Sequence, residues 1–102
     1  MNARTLVKPV SLSTTQTYIL SSLRRGNLYG VAIRDDLYSR RLHSLGLPGI
    51  YTYLSWMLDN ELIEDDTNTP VPVHSQIRNY KLTKLGQEAL KRESEKIRSL
   101  LE

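Results

Sequence analysis

The sequence predicts an α+β, mostly helical domain, and three observations carry that expectation. Three stretches of helical periodicity follow one another between Leu12 and Asn60; two strand-like segments then flank a proline-bearing loop; a capped helical stretch closes the chain. With 102 residues there is room for one such core, since single domains usually run to roughly 100–150 residues.

The stretch 1–11, with Arg4, Lys8 and Pro9 and no periodicity, reads as a flexible basic N-terminal arm. The first helix is expected from Ser13 to Arg24. Leu12, Gln16, Ile19, Leu20 and Leu23 share one face, Ser13 or Thr14 can cap the start, and Arg24, Arg25 and Gly26 are stop signals. Tyr18 points away from that face, to solvent or to a second subunit.

A second helix is expected from Leu28 to Ser39, with Asn27 as its cap and Ile33 and Leu37 inward. Gly30 in its first turn implies a close backbone approach, read as tight crossing of the first two helices. Arg40 to Gly49 forms a basic connection. Pro48 suits the first turn of a third helix that runs to Asn60. Around Leu54, Ile50, Tyr51, Met57 and Leu58 form its buried face. Thr52, Trp56 and Asp59 point the other way, with Tyr53 and Ser55 on the flanks.

Leu62-Ile63-Glu64 has strand character, Thr67 to Pro72 reads as a loop, and Gln76 to Leu82 alternates. These make a hairpin with a long tip. Thr83 can cap a last helix from Lys84 to about Leu101, in which Leu90, Ile97 and Leu101 are spaced seven and four apart.

A two-stranded hairpin is marginal alone and must pack on the helices. The order α-α-α-β-β-α is that of a winged helix-turn-helix. In that fold the third helix enters the major groove of DNA and the hairpin is the wing. The expected division is 12–83 for the DNA-binding unit and 84–102 for a C-terminal dimerisation helix, within one globular unit.

Four stretches resemble the PadR-like transcriptional regulators, in particular the small members with a short C-terminal extension. Tyr18-Ile19-Leu20-Ser21-Ser22-Leu23 is similar to the family's first-helix run, and Leu28-Tyr29-Gly30-Val31-Ala32-Ile33 to its Leu-His-Gly-Tyr-Glu-Ile stretch. Tyr51, Leu54, Met57 and Leu62-Ile63-Glu64 follow its Tyr-x-x-Leu-x-x-Leu pattern closing in Gly-Leu-Ile. Tyr80-Lys81-Leu82-Thr83-Lys84-Leu85-Gly86 resembles its Tyr-x-Leu-Thr-x-x-Gly signature, the most specific of the four. There are departures: Trp56 stands where the family is usually basic, Glu61 where it has Gly, and the spacing from Gly49 to Leu54 is one shorter. The resemblance implies a dimeric, ligand-responsive repressor whose last helix packs on the partner subunit. In some small members flat aromatic drugs sit at the dimer centre.

Thr52, Tyr53 and Ser55 are the candidates for base readout, since hydroxyls hydrogen-bond base edges and the Thr methyl can contact thymine. Arg40, Arg41 and His43 before the third helix are candidate phosphate contacts, joined by the amide donors of that helix. His74, Gln76, Arg78 and Lys81 form a second cluster on the wing. Trp56 contacts DNA, docks another protein or tucks beneath the wing. Glu61, Glu64, Asp65 and Asp66 are expected to face solvent, away from phosphate. Tyr18, Leu90, Ile97 and Leu101 are the expected dimer contacts.

A net charge of +3 permits a polyanionic partner without demanding one. The absence of Cys excludes disulfides, thiolate zinc sites and cysteine nucleophiles. No catalytic, phosphate-cradling or metal motif stands in the sequence, and none of a bilayer-spanning run or signal peptide, so a cytoplasmic non-enzyme without cofactor is expected. The leading expectation is a homodimeric regulator of double-stranded DNA on a palindromic operator. Its rival is an interaction module on the same fold, docking a partner protein through Trp56 and Tyr53.

Overall fold

The computed structural model describes residues 11–42, 45–67 and 78–102. The N-terminal arm through residue 10, together with His43, His74 and Gln76, lies outside the described residues. The elements are α1 (Thr14–Arg24), α2 (Gly30–Ser39), α3 (Leu47–Asp59), β1 (Ile63–Asp65), β2 (Tyr80–Leu82) and α4 (Lys84–Ser99). This is the expected winged helix-turn-helix order.

Each helix starts for a local reason. Ser13 caps α1 in a full capping box: its hydroxyl accepts from the Gln16 amide at 3.2 Å, and Gln16 Oε1 accepts from the Ser13 amide at 2.7 Å. Gln16 therefore serves the cap rather than the apolar face. Pro48 stands at the start of α3, behind a Gly46 cap. Thr83 caps α4, accepting from the Gly86 amide at 3.0 Å.

Three helices end alike. After α1, α2 and α3 the chain enters the left-handed region at Gly26 (φ +101°), Arg41 (φ +56°) and Glu61 (φ +60°). The next amide then reaches back to the last turn: Asn27 to Ser22 at 3.1 Å, Leu42 to Leu37 at 2.9 Å, Leu62 to Met57 at 2.9 Å. These are Schellman closures, which satisfy otherwise orphaned carbonyls. Asn27 is consequently not the cap of α2. Its side chain donates to Ser22 O at 3.3 Å and belongs to the end of α1, leaving Tyr29 at the start of α2 with no side-chain cap.

Ile19, Leu20, Leu23, Ile33, Leu37, Ile50, Leu54, Met57, Leu62 and Ile63 form one core. α1 packs against α2, β2 and α4, and α3 against α2 and β1. The hairpin is antiparallel, with Ile63 opposite Leu82, Glu64 opposite Lys81 and Asp65 opposite Tyr80. Tyr80 also donates its amide to Leu28 O at 2.8 Å, tying β2 to the α1–α2 loop. Ala89 and Leu90 of α4 are buried in the same core, so this helix is not a separate appendage.

The contact at Gly30 and the placement of Tyr51 differ from the expectation. The close approach at Gly30 comes from α3 rather than α1: a Cβ there would lie 2.8 Å from Tyr51 Cε1. Tyr51 consequently lies over α2 and is 49% exposed instead of buried.

Candidate nucleic-acid interface

The outward surface of α3 follows from its sequence pattern. With Ile50, Leu54 and Met57 buried, Thr52, Ser55 and Asp59 are exposed. Pro48, Tyr51, Thr52, Ser55, Trp56 and Asp59 together line a shallow depression of about 490 Å³. Of the expected base-reading residues, the structure brings Thr52 and Ser55 together here, with Trp56 beside them. Tyr53 is not among them, because its half-buried ring packs against the core. Trp56 is half-buried against the core and borders the depression.

Tyr51 is the residue that the sequence pattern hid. Its angular position around Leu54 reads as inward, and the signal that corrects this is Gly30, whose missing side chain makes a seat for the ring. The Thr52 hydroxyl donates to Pro48 O at 2.9 Å. Its hydrogen is thereby committed, which leaves the oxygen as an acceptor and the methyl unengaged.

The cations separate into held and free. Arg40 is half-buried and bound to Asp36 at 2.8 Å, one turn back in sequence. Holding Asp36 makes it part of the α2 terminus rather than an open phosphate ligand. Arg41 is exposed and, among the described residues, makes no ion pair or side-chain hydrogen bond. It stands in the left-handed position between α2 and α3.

On the wing, Arg78 grips Asp65 with both branches of its guanidinium, Nε to Oδ1 at 2.8 Å and Nη2 to Oδ2 at 2.9 Å. Its Cζ stands 5.5 Å from the centre of the Tyr80 ring. The Arg78 hydrogen bond holds the Asp65 carboxyl below the usual carboxylate range, and the same pairing raises Arg78. Burial raises the Tyr80 phenol. Lys81 stands 3.7 Å from Glu64 across the hairpin. Glu64 and Asp65 are exposed, as expected, yet they do not stand apart from the basic cluster; they pair with it.

The expected dimer contacts also divide. Leu90 is buried in the chain's own core and half-buried Tyr18 packs against it. Ile97 and Leu101 are 49% and 86% exposed, with Leu100 beside them at 82%. Between α1, β2 and α4 runs an open groove of about 740 Å³ with an apolar floor including Leu23 and Leu90 and a rim including Arg24, Lys91 and Arg98.

Among the described residues no group of His, Asp and Glu could hold a metal ion, and no helix is long and apolar enough to cross a membrane.

No family model and no curated protein matches the chain. Solved structures share its fold. A PadR family transcription regulator from hypervirulent Clostridium difficile R20291 is 22% identical, with a TM-score of 0.71 over 86% of this chain and 91% of that one. RosR of H. salinarum is 23% identical, with a TM-score of 0.72 over 90% of this chain and 79% of that one. Lactococcus lactis ZitR in complex with DNA is 19% identical, with a TM-score of 0.67 over 92% of this chain and 58% of that one. The chain therefore has the winged-helix fold of PadR-like regulators.

Proposed function

We propose that this chain is a sequence-specific DNA-binding transcriptional regulator, a repressor acting as a homodimer on a palindromic operator in the cytoplasm. The observation that carries the reading is the exposed face of α3, where Tyr51, Thr52, Ser55 and Trp56 line one depression. In a winged helix this face is the one that enters the major groove. The likeness in fold to ZitR, solved in complex with DNA, supports it.

In this reading Thr52 and Ser55 read base edges. Arg41 leads the phosphate contacts, since next to α3 it is exposed and has no ion-pair partner among the described residues. The wing approaches the backbone with Lys81 ahead of Arg78, because Arg78 is committed to Asp65 in both its hydrogen bonds. The exposed apolar end of α4, with Ile97, Leu100 and Leu101, supports a second subunit as its cover. The neighbouring groove between α1 and α4 is the place where a small aromatic effector could couple to that interface. A two-fold dimer sets the half-sites about one helical turn, roughly 34 Å, apart.

Fluorescence anisotropy of labelled duplex at about 50 and 200 mM salt tests the reading. Binding that falls steeply with salt supports it. Absence of binding at the lower salt overturns it.

A further inference from the structure

Recognition helix α3 carries an unusual inventory. From Leu47 to Asp59 it contains no Arg, Lys, His, Asn or Gln. Those include the residue types that make the bidentate contacts of direct readout: Arg or Lys to guanine O6 and N7, Asn or Gln to adenine N6 and N7. Asn60, immediately after the helix, is engaged, donating its side-chain amide to Trp56 O at 2.8 Å. What the exposed face offers instead is the rings of Tyr51 and Trp56 with one phenol and one indole N–H, the Thr52 methyl and two short hydroxyls.

Guanine presents only acceptors to the major groove, so it asks for donors. The Thr52 hydroxyl has none to give, because its hydrogen is held by Pro48 O. Its oxygen can accept from an amino group, and its methyl is free for apolar contact. The Tyr51 ring is pinned over Gly30 beside it. Adenine offers the amino group and its partner thymine offers a C5-methyl. The one charged residue on the face, Asp59, could accept from cytosine N4. It sits at the C-terminal end of α3, whereas recognition helices touch base edges with their N-terminal residues.

From this we infer that α3 reads A·T pairs, packing thymine methyls against Thr52, Tyr51 and Trp56, and makes no bidentate contact to guanine. The inference rests on the DNA-binding reading above and specifies the operator chemistry that this face accepts.

The test uses the full chain. A half-site is selected from random duplexes, then remade with uracil in place of thymine, which removes the methyl, or with 7-deazaguanine in place of guanine, which removes N7. Affinity is expected to fall about fourfold for each contacted thymine changed to uracil, the worth of one buried carbon. It should not change with 7-deazaguanine. Thr52→Ser, which keeps the hydroxyl and removes the methyl, should abolish the uracil penalty at one position. A selected site that weakens with 7-deazaguanine and ignores uracil overturns this inference while leaving the DNA-binding reading intact. An A·T-rich site that ignores both replacements also overturns it, since groove shape would then be what is read. No duplex binding at low salt overturns both.

Discussion

Gly86, in the first turn of α4, lies against the carbonyl oxygen of Leu62 so closely that a Cβ at that position would overlap it. The neighbouring Thr83 explains why. Its amide donates to Leu62 O at 3.1 Å, its hydroxyl donates to Glu61 O at 2.6 Å and accepts from the Gly86 amide at 3.0 Å. One threonine thus fastens the start of α4 to the α3–β1 turn, and only a glycine leaves room for that turn. The obstacle is backbone, which cannot swing aside. Gly86→Ala should therefore lower stability by about 2–3 kcal/mol, as overpacking does, despite the better helix propensity of alanine. Thr83→Ala should cost about 1–2 kcal/mol and Thr83→Ser much less. Denaturant midpoints at constant m-value measure all three.

This junction also shows how far the sequence could be read. Thr83 as a cap and Gly86 as part of a strand-to-helix signature were legible, because both are local devices with fixed spacing. The core of α1 and α3 was legible too, since Ile19, Leu20, Leu23, Leu54 and Met57 recur at helical period and all are buried. The illegible part lay in contacts between elements. Gly30 announced a close approach but not its partner, which proved to be the ring of Tyr51. Asp65 and Arg78 are thirteen residues apart, and nothing in either strand's alternation pairs them. The ion pairs that hold Arg78 to Asp65 and Lys81 to Glu64 across the hairpin belong to that part.

The contact of Gly30 with Tyr51 gives the second prediction. Here the obstacle is the far end of a side chain, so Gly30→Ala should push the ring aside rather than disrupt the fold. Stability should change by less than about 1 kcal/mol, because alanine regains helix propensity. Operator affinity should fall by about 1 kcal/mol, roughly fivefold, as Tyr51 leaves its position. Tyr51→Leu should produce the same loss, and adding Gly30→Ala to it should cost nothing further. A double-mutant cycle read by anisotropy and thermal melts checks this.

Asp65 and Arg78 give a prediction with a sign in pH. The folded pKa of Asp65 is lowered by its hydrogen bond to Arg78. A lowered carboxylate stabilises the fold above its unfolded pKa, about 3.9, and loses that contribution as pH falls through the folded value. Asp65→Asn should accordingly flatten the acid limb of the stability profile below about pH 4 and change little at neutral pH, where both partners are exposed. The same variant releases Arg78. Affinity for any duplex should rise and the salt dependence should steepen by about one counterion. Arg78→Ala, by contrast, should leave the salt slope unchanged; a slope reduced by about one would mean that Arg78 leaves Asp65 for phosphate on binding.

Arg41 separates stability from function most cleanly. It occupies a left-handed conformation, φ +56°, that costs an L-residue roughly 1–2 kcal/mol and glycine nothing. Glycine loses more backbone entropy on folding, which returns part of that gain. Arg41→Gly should therefore raise stability by several tenths to about 1 kcal/mol. Strained positions held by a residue poorly suited to them concentrate at functional sites, and the Arg41 side chain makes no ion pair within the described chain that would justify the strain. If Arg41 contacts phosphate, as proposed, its side chain is used outside the monomer. The same substitution should weaken binding to all duplexes alike and reduce the salt slope by about one. Arg41→Lys should keep most of the affinity and none of the added stability. Denaturation and salt-dependent anisotropy on the two variants decide the matter. A glycine variant that is more stable and binds unchanged would remove Arg41 from the interface, whereas one that loses stability would mean that the Arg41 side chain holds the α2–α3 turn.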